Sequence, residues 1–391
     1  MIKLLILGCK DFPPFTNKKI ISGGMEVYTY ELVKKLSGKI DISIVKGHGK
    51  NKTNSDPFIK NVKVYNVAIW GKSVLQPLSL TISSLFKTLK LIKHVDIINA
   101  QTPLSALIGV FCKFFFKKPY VVCVHIFGST KEHAGNNLFA RIYFNIEKIT
   151  LNYADAIVTA GDSLSKFLVN THKLSPKKLI MIHPGMDAQE VKEDNSFLRE
   201  KYGIDDRTFV LLYLGRFIKE KGIFDLLDAI KILKKKNIKV RLLFAGNGEL
   251  ESEIIKESRQ NGLDDYISVI GAIYGDEKNL LIKRSNVMIR TSYHEVFPVT
   301  YLEAMSLGTP VIATPVGDVH YVAEKSGAIE LVPINNPEKI AEGILKLMSS
   351  PELLEKMSES GLKYIESISW NNQADKFLKV LEDVIAKRQI V

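Results

Sequence analysis

Short apolar segments alternate with amphipathic segments along the whole chain, and this alternation limits the possible folds more than any other feature. Ile2–Leu7 and Phe209–Leu214 are each followed by a glycine-containing loop and then by a helical pattern. Apolar strands separated by helices are typical of parallel sheets that helices cover on both faces. The sequence therefore predicts the α/β class, with two Rossmann-like doubly wound domains facing one another across a cleft.

The length of the chain and one polar stretch predict the domain boundaries. A chain of 391 residues is long for a single hydrophobic core. The alternation pauses at the polar segment His183–Lys201 and then restarts. We expect a first domain over 1–185, a linker over 186–205 and a second domain over 206–370. A last helix over 371–391 is expected to cross back to the first domain.

The charge of the chain is uneven. Residues 1–180 hold 26 Lys and Arg against 10 Asp and Glu, whereas the remainder holds 28 against 32. We therefore expect the first half to approach an anionic partner, unless its lysines form only a solvated surface. An anionic membrane face or a phosphorylated lipid fits better than nucleic acid, because the chain has no zinc-finger, KH or RRM signature.

The cysteines and the longest apolar segments indicate which cellular compartment the sequence favours. Cys9, Cys112 and Cys123 have no metal-type spacing, which favours a reduced, cytoplasmic setting over a disulfide framework or a zinc site. The run Thr102–Phe116 is too short for a membrane span. Leu78–Lys93 has apolar residues at helical spacing and is predicted to form an amphipathic helix.

The segment 286–317 has the arrangement of an anion-binding unit. It predicts a strand over Val287–Arg290, a loop that contains Glu295, and a helix over Val299–Leu307 that contains Glu303. The amino end of a helix that follows a parallel strand favours anions. The two glutamates suit hydrogen bonds from ligand hydroxyls, and the combination suits a sugar nucleotide. Alternatively, one is a helix glutamate stabilised by the dipole and the other a solvated loop residue.

Two further loops follow strands of the second half. The loop GRFIKEKG places Arg216 at the end of a strand and Lys221 near the start of a helix, where both could bind a diphosphate. Solvated charges are the alternative, although the helix dipole disfavours cations at that position. In GNGEL, the residues Gly246, Asn247 and Gly248 could let a nucleotide approach the backbone, or form an ordinary turn.

The first half offers weaker candidates. Gly23 and Gly24 open a helix and could admit a phosphate or a sugar, but plain turn chemistry explains them as well. His125 ends a strand and could bond a sugar hydroxyl, or it could be a buried histidine bonded to a carbonyl. The loop after the first strand has no G-x-G-x-x-G, which disfavours a dehydrogenase.

Five of these segments together resemble one enzyme family. GGMEVYTYEL, VHIFG, GRFIKEKGIFDLLDAI, AGNGEL and EVFPVTYLEAMSLGTPVIATPVG follow one another as in retaining glycosyltransferases of family 4, which have the GT-B fold. The resemblance covers nearly the whole chain. It implies that Arg216 and Lys221 hold the diphosphate of a nucleotide-sugar, and that Glu303 binds the ribose and Glu295 the sugar. It also implies that His125 lies near the anomeric carbon.

The same resemblance implies further contacts with the donor. Backbone N–H groups of Val299 and Thr300 would bind the phosphate, with Phe297 beside them, and Gly23 and Gly24 would line the first-domain side. The first domain would bind the acceptor and the second the donor.

Two prolines and one valine depart from the family pattern. Val296 and Pro298 stand where glycines are frequent, and Pro298 has no N–H to donate. Pro184 stands where the family commonly has asparagine.

The implied reaction moves a sugar from a nucleotide-diphosphate sugar to an acceptor hydroxyl with retention, through a front-side route. No cofactor or metal is expected, since the chain has no Asp-x-Asp. The acceptor is expected to be lipid-linked or phosphorylated, at the inner membrane face. A sugar-nucleotide epimerase or phosphorylase of similar build, and a non-catalytic nucleotide-sugar-binding subunit, remain alternatives.

Overall fold

The structure is a computed structural model. It describes residues 1–16, 19–20, 24–47, 59, 61–71, 75–125, 138–191, 200–205, 207–295, 297 and 299–389. The chain forms two compact units, one of Met1–Gly185 with Trp370–Val391 and the other of Met186–Ser369. The described residues 186–191 and 200–205, which fall in the expected linker, belong to the second unit. Gly23, Val296 and Pro298 lie outside the described residues.

The first unit contains a parallel seven-stranded sheet with the strand order β5-β4-β1-β6-β7-β8-β9, and a two-stranded antiparallel ribbon of β2 and β3. Its strands are β1 Lys3–Cys9, β2 Phe15–Thr16, β3 Lys19–Ile20, β4 Asp41–Gly47, β5 Val62–Val67, β6 Ile97–Ala100, β7 Tyr120–Val124, β8 Ala156–Thr159 and β9 Leu179–Met181. Its α-helices are α1 Gly24–Leu36, α2 Leu75–Leu91, α3 Pro103–Phe116, α4 Leu138–Tyr153, α5 Asp162–His172 and, after the second unit, α13 Trp370–Gln389.

Strand β1 shows why the sheet is buried on both faces. Leu4 and Ile6 pack into the core on one side of the sheet, and Leu5 and Leu7 into the core on the other. Successive side chains of a strand point to opposite faces, so an unbroken apolar run requires a covering layer on each side. Helices provide both layers.

Helix α13 packs on α1 in the first unit. Four of its apolar residues lie three or four positions apart and join the core beneath α1, which explains why the end of the chain belongs to the first unit. These residues are Trp370, Ala374, Phe377 and Leu381.

The second unit contains a parallel six-stranded sheet with the order β12-β11-β10-β13-β14-β15. Its strands are β10 Val210–Leu214, β11 Arg241–Ala245, β12 Ile267–Gly271, β13 Val287–Arg290, β14 Val311–Ala313 and β15 Ile329–Leu331. Its α-helices are α6 Ile223–Lys235, α7 Glu251–Gln260, α8 Gly275–Arg284, α9 Val299–Ser306, α10 Val319–Ser326, α11 Pro337–Met348 and α12 Pro351–Ser367. The predicted α/β class with two parallel-sheet domains is confirmed.

Each large sheet has a point where the strand order reverses. From β10 the chain continues to β11 on one side, whereas β13 lies on the other side of β10. From β1 it continues to β4, and β6 lies on the opposite side. Loops diverge at such a point and leave a crevice at the carboxyl ends of the strands, which is where ligands bind in doubly wound sheets.

Candidate functional site

The loops after β10 and β13 meet at the switch point of the second sheet. Gly222 has φ +59°, and a Cβ built on it would lie 2.0 Å from the carbonyl oxygen of Thr291. The Thr291 hydroxyl donates to the Gly222 carbonyl at 2.7 Å, and the Tyr293 N–H donates to the Glu220 carbonyl at 2.8 Å. Only glycine allows this approach, so the two loops are fixed against each other.

Glu295 is the centre of a cluster of charged side chains between these loops. One of its oxygens, Oε1, accepts hydrogen bonds from Lys221 Nζ at 2.8 Å, Arg290 Nη2 at 2.5 Å and Ser292 Oγ at 2.9 Å. The side chains of Lys221, Arg290 and Glu295 are only 11%, 7% and 12% exposed. No described residue bonds to Oε2 of Glu295. Two cations around one carboxylate leave a net positive charge, which favours an anionic ligand.

Arg290 belongs to this cluster, and the sequence did not predict it as a site residue. It ends β13, where its Nη1 donates to the Thr300 hydroxyl at 2.7 Å and its guanidinium lies 5.6 Å from the Tyr301 ring centroid. Its Nε is buried, and no residue in the described part of the chain accepts a hydrogen bond from it. Its position at the end of the otherwise apolar strand VMIR could have indicated a site residue, because an arginine is seldom buried without a partner.

Arg216 and Glu303 lie at the edge of this region. Arg216 is exposed, and among the described residues none forms an ion pair or hydrogen bond with its guanidinium. Glu303, on α9, accepts a hydrogen bond from Lys278 of α8 at 2.8 Å. Both side chains of that pair are about a fifth exposed, at 22% and 24%. Arg216 is therefore available to a ligand, and the Glu303 carboxylate is oriented by Lys278.

The glycines of the GNGEL loop have an internal packing role. Gly246 and Gly248 have φ of +154° and +157°, and a Cβ on them would lie 1.8 Å from the Gly215 carbonyl oxygen and 2.3 Å from that of Phe217. The carbonyl of Asn247 accepts from the Phe217 N–H at 2.8 Å. The space that these glycines leave open is therefore filled by the chain itself.

The amino end of α9 is partly committed to internal bonds. The Val299 N–H, which the resemblance assigned to a phosphate, donates to the carbonyl of Phe297 at 3.0 Å. The Val299 side chain is exposed, and Phe297 is half-buried against the core. The hydroxyl of Thr300 is held by Arg290.

In the first unit, His125 follows β7 and belongs to a chain of polar side chains. Its Nε2 lies 2.6 Å from Gln101 Oε1, and the Gln101 amide donates to Asn99. The ring also lies 5.0 Å from that of Tyr28. Burial lowers the pKa of His125 from 6.5 to about 4, so the imidazole is neutral at neutral pH. Sequence reasoning missed Gln101, which holds the ring.

Gly24 begins α1, and a Cβ built on it would meet none of the residues that the structure describes within 4 Å. Packing therefore does not require glycine there. Gly23, its partner in the prediction, lies outside the described residues.

Two observations concern metal and membrane. Within the described ranges, no three His, Cys, Asp or Glu side chains are grouped so that they could hold a metal ion. None of the described helices combines the length and apolarity that crossing a bilayer requires. The three cysteines are free and buried, and burial raises the pKa of Cys9 and Cys123 to about 12.

Comparison with known proteins gives matches over both halves of the chain. Residues 194–364 match the family model described as "Glycosyl transferases group 1", and residues 22–190 match "Glycosyltransferase Family 4". A curated relative, the capsular polysaccharide biosynthesis glycosyltransferase CapM of Staphylococcus aureus, is 27% identical over 340 residues. That alignment covers 79% of this chain and 86% of CapM.

Solved structures share the fold at low identity. Sucrose-phosphate synthase from Thermosynechococcus elongatus has a TM-score of 0.77 at 18% identity and covers 99% of this chain and 100% of its own. Anabaena Alr3699/HepE in complex with UDP-glucose has a TM-score of 0.70, also at 18% identity, and covers 97% and 100%.

Proposed function

Because the chain belongs to glycosyltransferase family 4 and has the GT-B fold, we propose that it moves a sugar from a nucleoside-diphosphate sugar to an acceptor hydroxyl with retention at the anomeric carbon. The observation that carries the proposal is the cluster of Lys221, Arg290 and Glu295 at the switch point of the second sheet. The cluster provides positive charge for a diphosphate. It also provides a carboxylate oxygen, Oε2 of Glu295, to which no described residue donates a hydrogen bond.

The diphosphate is proposed to bind Arg216 and Lys221. Arg216 is exposed, so its guanidinium can form a bidentate contact with phosphate oxygens without losing an internal partner. Lys221 is held by Glu295 and already desolvated, so it needs little reorganisation when a ligand arrives. Together they offset the charge that develops on the leaving diphosphate.

The two carboxylates are proposed to bind hydroxyl groups. Three donors fix Glu295 through Oε1, which leaves Oε2 to accept from hydroxyls of the transferred sugar. Glu303 is proposed to accept from the ribose hydroxyls, with Lys278 setting its orientation. Because Lys221 and Glu295 are in contact, the diphosphate and the sugar would lie side by side, as they do in a nucleotide-sugar.

The reaction is proposed to need neither metal nor a side-chain base. The bond between the anomeric carbon and the phosphate oxygen breaks, and the bond to the acceptor oxygen forms on the same face. The acceptor proton passes to the departing phosphate oxygen. His125 is proposed to accept or donate a hydrogen bond near the reacting carbon as a neutral imidazole.

The partners and the location are proposals that rest on a relative and on charge. A UDP-sugar is the first donor to test, because HepE is described in complex with UDP-glucose. The positive excess of residues 1–180 supports a lipid-linked or phosphorylated acceptor at the cytoplasmic face of a membrane.

A thermal-shift screen over UDP-, GDP- and ADP-sugars tests donor binding, because a ligand that binds only the folded state raises Tm. Release of nucleoside diphosphate with and without candidate acceptors then tests turnover. Release that depends on an acceptor supports transfer. Binding without turnover under any acceptor would instead indicate a non-catalytic subunit, and a changed sugar on an intact nucleotide would indicate an epimerase.

A further inference from the structure

Helix α2 of the first unit turns an apolar stripe outward. Its exposed apolar residues recur every three or four positions, which places them on one face of the helix. These residues are Leu75, Leu78, Ile82, Phe86 and Leu89. The sequence predicted an amphipathic helix here, and an apolar stripe normally faces the core. In this helix the stripe faces away from it.

The inner face of α2 explains its orientation. Ser79, Ser84 and Thr88 are buried. The Ser79 hydroxyl donates to the Trp70 carbonyl at 2.9 Å, and the Thr88 hydroxyl donates to the Ser84 carbonyl at 2.8 Å. Ser79 and Thr88, whose hydroxyls bond to backbone, share the inner face with Leu80 and Leu85, which pack against the core of the unit, so the helix has an inner face that is distinct from the outward stripe.

Two neighbouring helices extend this apolar surface. Helix α3 packs against both α2 and α4. Exposed apolar residues of α4 also recur on one face, and the end of α3 adds three exposed phenylalanines, one of which lies 5.3 Å, centroid to centroid, from Tyr153 of α4. These residues are Leu138, Phe139, Ile142, Ile149 and Tyr153 on α4, and Phe114, Phe115 and Phe116 on α3. We call the exposed apolar residues of α2, α3 and α4 the apolar face.

A cavity of about 560 Å³ lies between α2 and α4. Leu78, Phe139 and Ile142 belong to the apolar face and also line this cavity, so it opens at the apolar face. At its other end, Lys10, Glu26 and Thr102 line it near the ends of β1 and β6, the switch point of the first sheet. The cavity is therefore apolar at its mouth and polar at its base.

The charges around the apolar face select among possible occupants. Across α2, α3 and α4 there are five basic residues and one acidic residue, and one of the basic residues, Lys113, is paired with Asp155 at 2.6 Å. The acidic residue, Glu147, is buried, 3.1 Å from His172. A second copy docked face to face would bring these like charges together. An anionic bilayer, by contrast, takes apolar side chains into its interface and attracts lysine and arginine around them.

We propose that the apolar face rests on an anionic bilayer, and that the cavity binds the hydrocarbon part of a lipid drawn from it. The polar end of that lipid then reaches the switch point of the first sheet. The inference rests on the proposed function only where it identifies this lipid as the acceptor of the transferred sugar. Vesicle binding itself needs no donor.

Co-sedimentation of the full chain with vesicles tests the surface. We expect binding to phosphatidylcholine vesicles that contain phosphatidylglycerol, and at least about tenfold weaker binding to phosphatidylcholine alone. The double variant Ile82→Gln/Phe86→Gln should bind about tenfold more weakly, because it places polar groups where apolar area is buried. Leu362→Gln, an exposed leucine of the second unit, is the matched control and should bind as the unaltered chain does.

Three results would overturn the surface proposal. They are no vesicle binding, equal loss in the control, and a concentration-dependent dimer that disappears in the double variant. The Tm shift with UDP-sugars, measured on the same samples, separates this inference from the proposed function. If the chain binds vesicles but UDP-sugars do not raise its Tm, the inference about the apolar face still holds. If UDP-sugars raise the Tm but the chain does not bind vesicles, the inference is contradicted.

A filled cavity tests the lipid site separately. Ile146 lines the cavity and is half-buried, so Ile146→Trp should occupy the space without altering the exposed stripes. With phosphatidylglycerol that carries a photoactivatable acyl chain, we expect labelling of the cavity residues Leu80 and Tyr143. In Ile146→Trp this labelling should fall several-fold, while co-sedimentation is retained. Labelling that is unchanged, or confined to exposed residues of the apolar face, would contradict the cavity as a lipid site.

Discussion

The two units share one sheet architecture but place different chemistry at the switch point. In the second unit, Lys221 and Arg290 both bond Glu295 in a nearly buried cluster. In the first unit, β6 and β7 lead to an uncharged chain of Asn99, Gln101 and His125, and a cavity with an apolar mouth lies near the ends of β1 and β6. The comparison teaches that the fold supplies a crevice in each unit, while the residues after the strands decide which ligand chemistry it suits.

The largest expected effect on stability is in the second unit. Arg290→Met removes one of the three donors to the Glu295 carboxylate and the donor to the Thr300 hydroxyl, while Lys221 and Ser292 still bond Glu295, so the free energy of unfolding should fall by about 2–3 kcal/mol. Lys346→Met is the control, because its pair with Glu330 is half-exposed and should cost less than about 1 kcal/mol. Urea unfolding followed by circular dichroism measures both. Equal losses would mean that the charged cluster does not stabilise the unit.

The next effect is on catalysis. Lys221→Ala should lower the rate of sugar transfer on the order of 10²–10³-fold, the cost of removing one preorganised charge from a leaving group. Lys219→Ala, an exposed lysine of the same turn, should keep its rate. The steady-state kcat/KM for release of nucleoside diphosphate measures both variants. Parallel losses, or no loss in either, would remove Lys221 from the proposed role.

A pair of glycine substitutions compares the loops of the two units. Gly246→Ala should cost roughly 2–3 kcal/mol, because its φ is +154° and the Cβ would meet the Gly215 carbonyl. Gly24→Ala should change stability by less than about 0.5 kcal/mol, since no described residue lies within 4 Å of the added Cβ and alanine favours helices. Thermal unfolding compares the variants. A costly Gly24→Ala would show that the start of α1 has a constraint beyond local packing.

The smallest expected effect is a pH dependence from the first unit. The folded-state pKa of His125 is about 4, below its ordinary value of 6.5, so between these values the unfolded chain binds more protons. Stability should therefore fall by about 1–3 kcal/mol as the pH drops from 6.5 to 4. His125→Gln should remove this part of the slope, and His94→Gln, an exposed histidine, should not. An unchanged slope in His125→Gln would contradict a buried neutral imidazole.

The sequence predicted most of the fold because its signals are local. The strand Val287–Arg290 has the bounds that were predicted, and the helix Val299–Leu307 ends one residue earlier, at Ser306. An apolar run of four to seven residues between loops is sufficient to indicate a buried parallel strand. The family resemblance is confirmed by matches to both family models.

Contacts between distant residues could not be predicted in the same way. Lys221 and Glu295 are 74 positions apart, so their ion pair depends on the register of β10 and β13, which no local pattern encodes. The orientation of α2 could not be predicted from the sequence either. Leu80, Leu85 and Leu91 pack inward while a second apolar stripe points outward, and periodicity cannot choose between two apolar faces.

The central claim is that the second unit binds a nucleoside diphosphate through Arg216 and Lys221. Isothermal titration of the full chain with UDP, GDP and ADP, without added metal, tests it most directly. The account predicts that at least one of them binds, and that Lys221→Ala weakens this binding about tenfold or more while Lys219→Ala does not. No binding by any of the three, or equal affinity in Lys221→Ala, would contradict it.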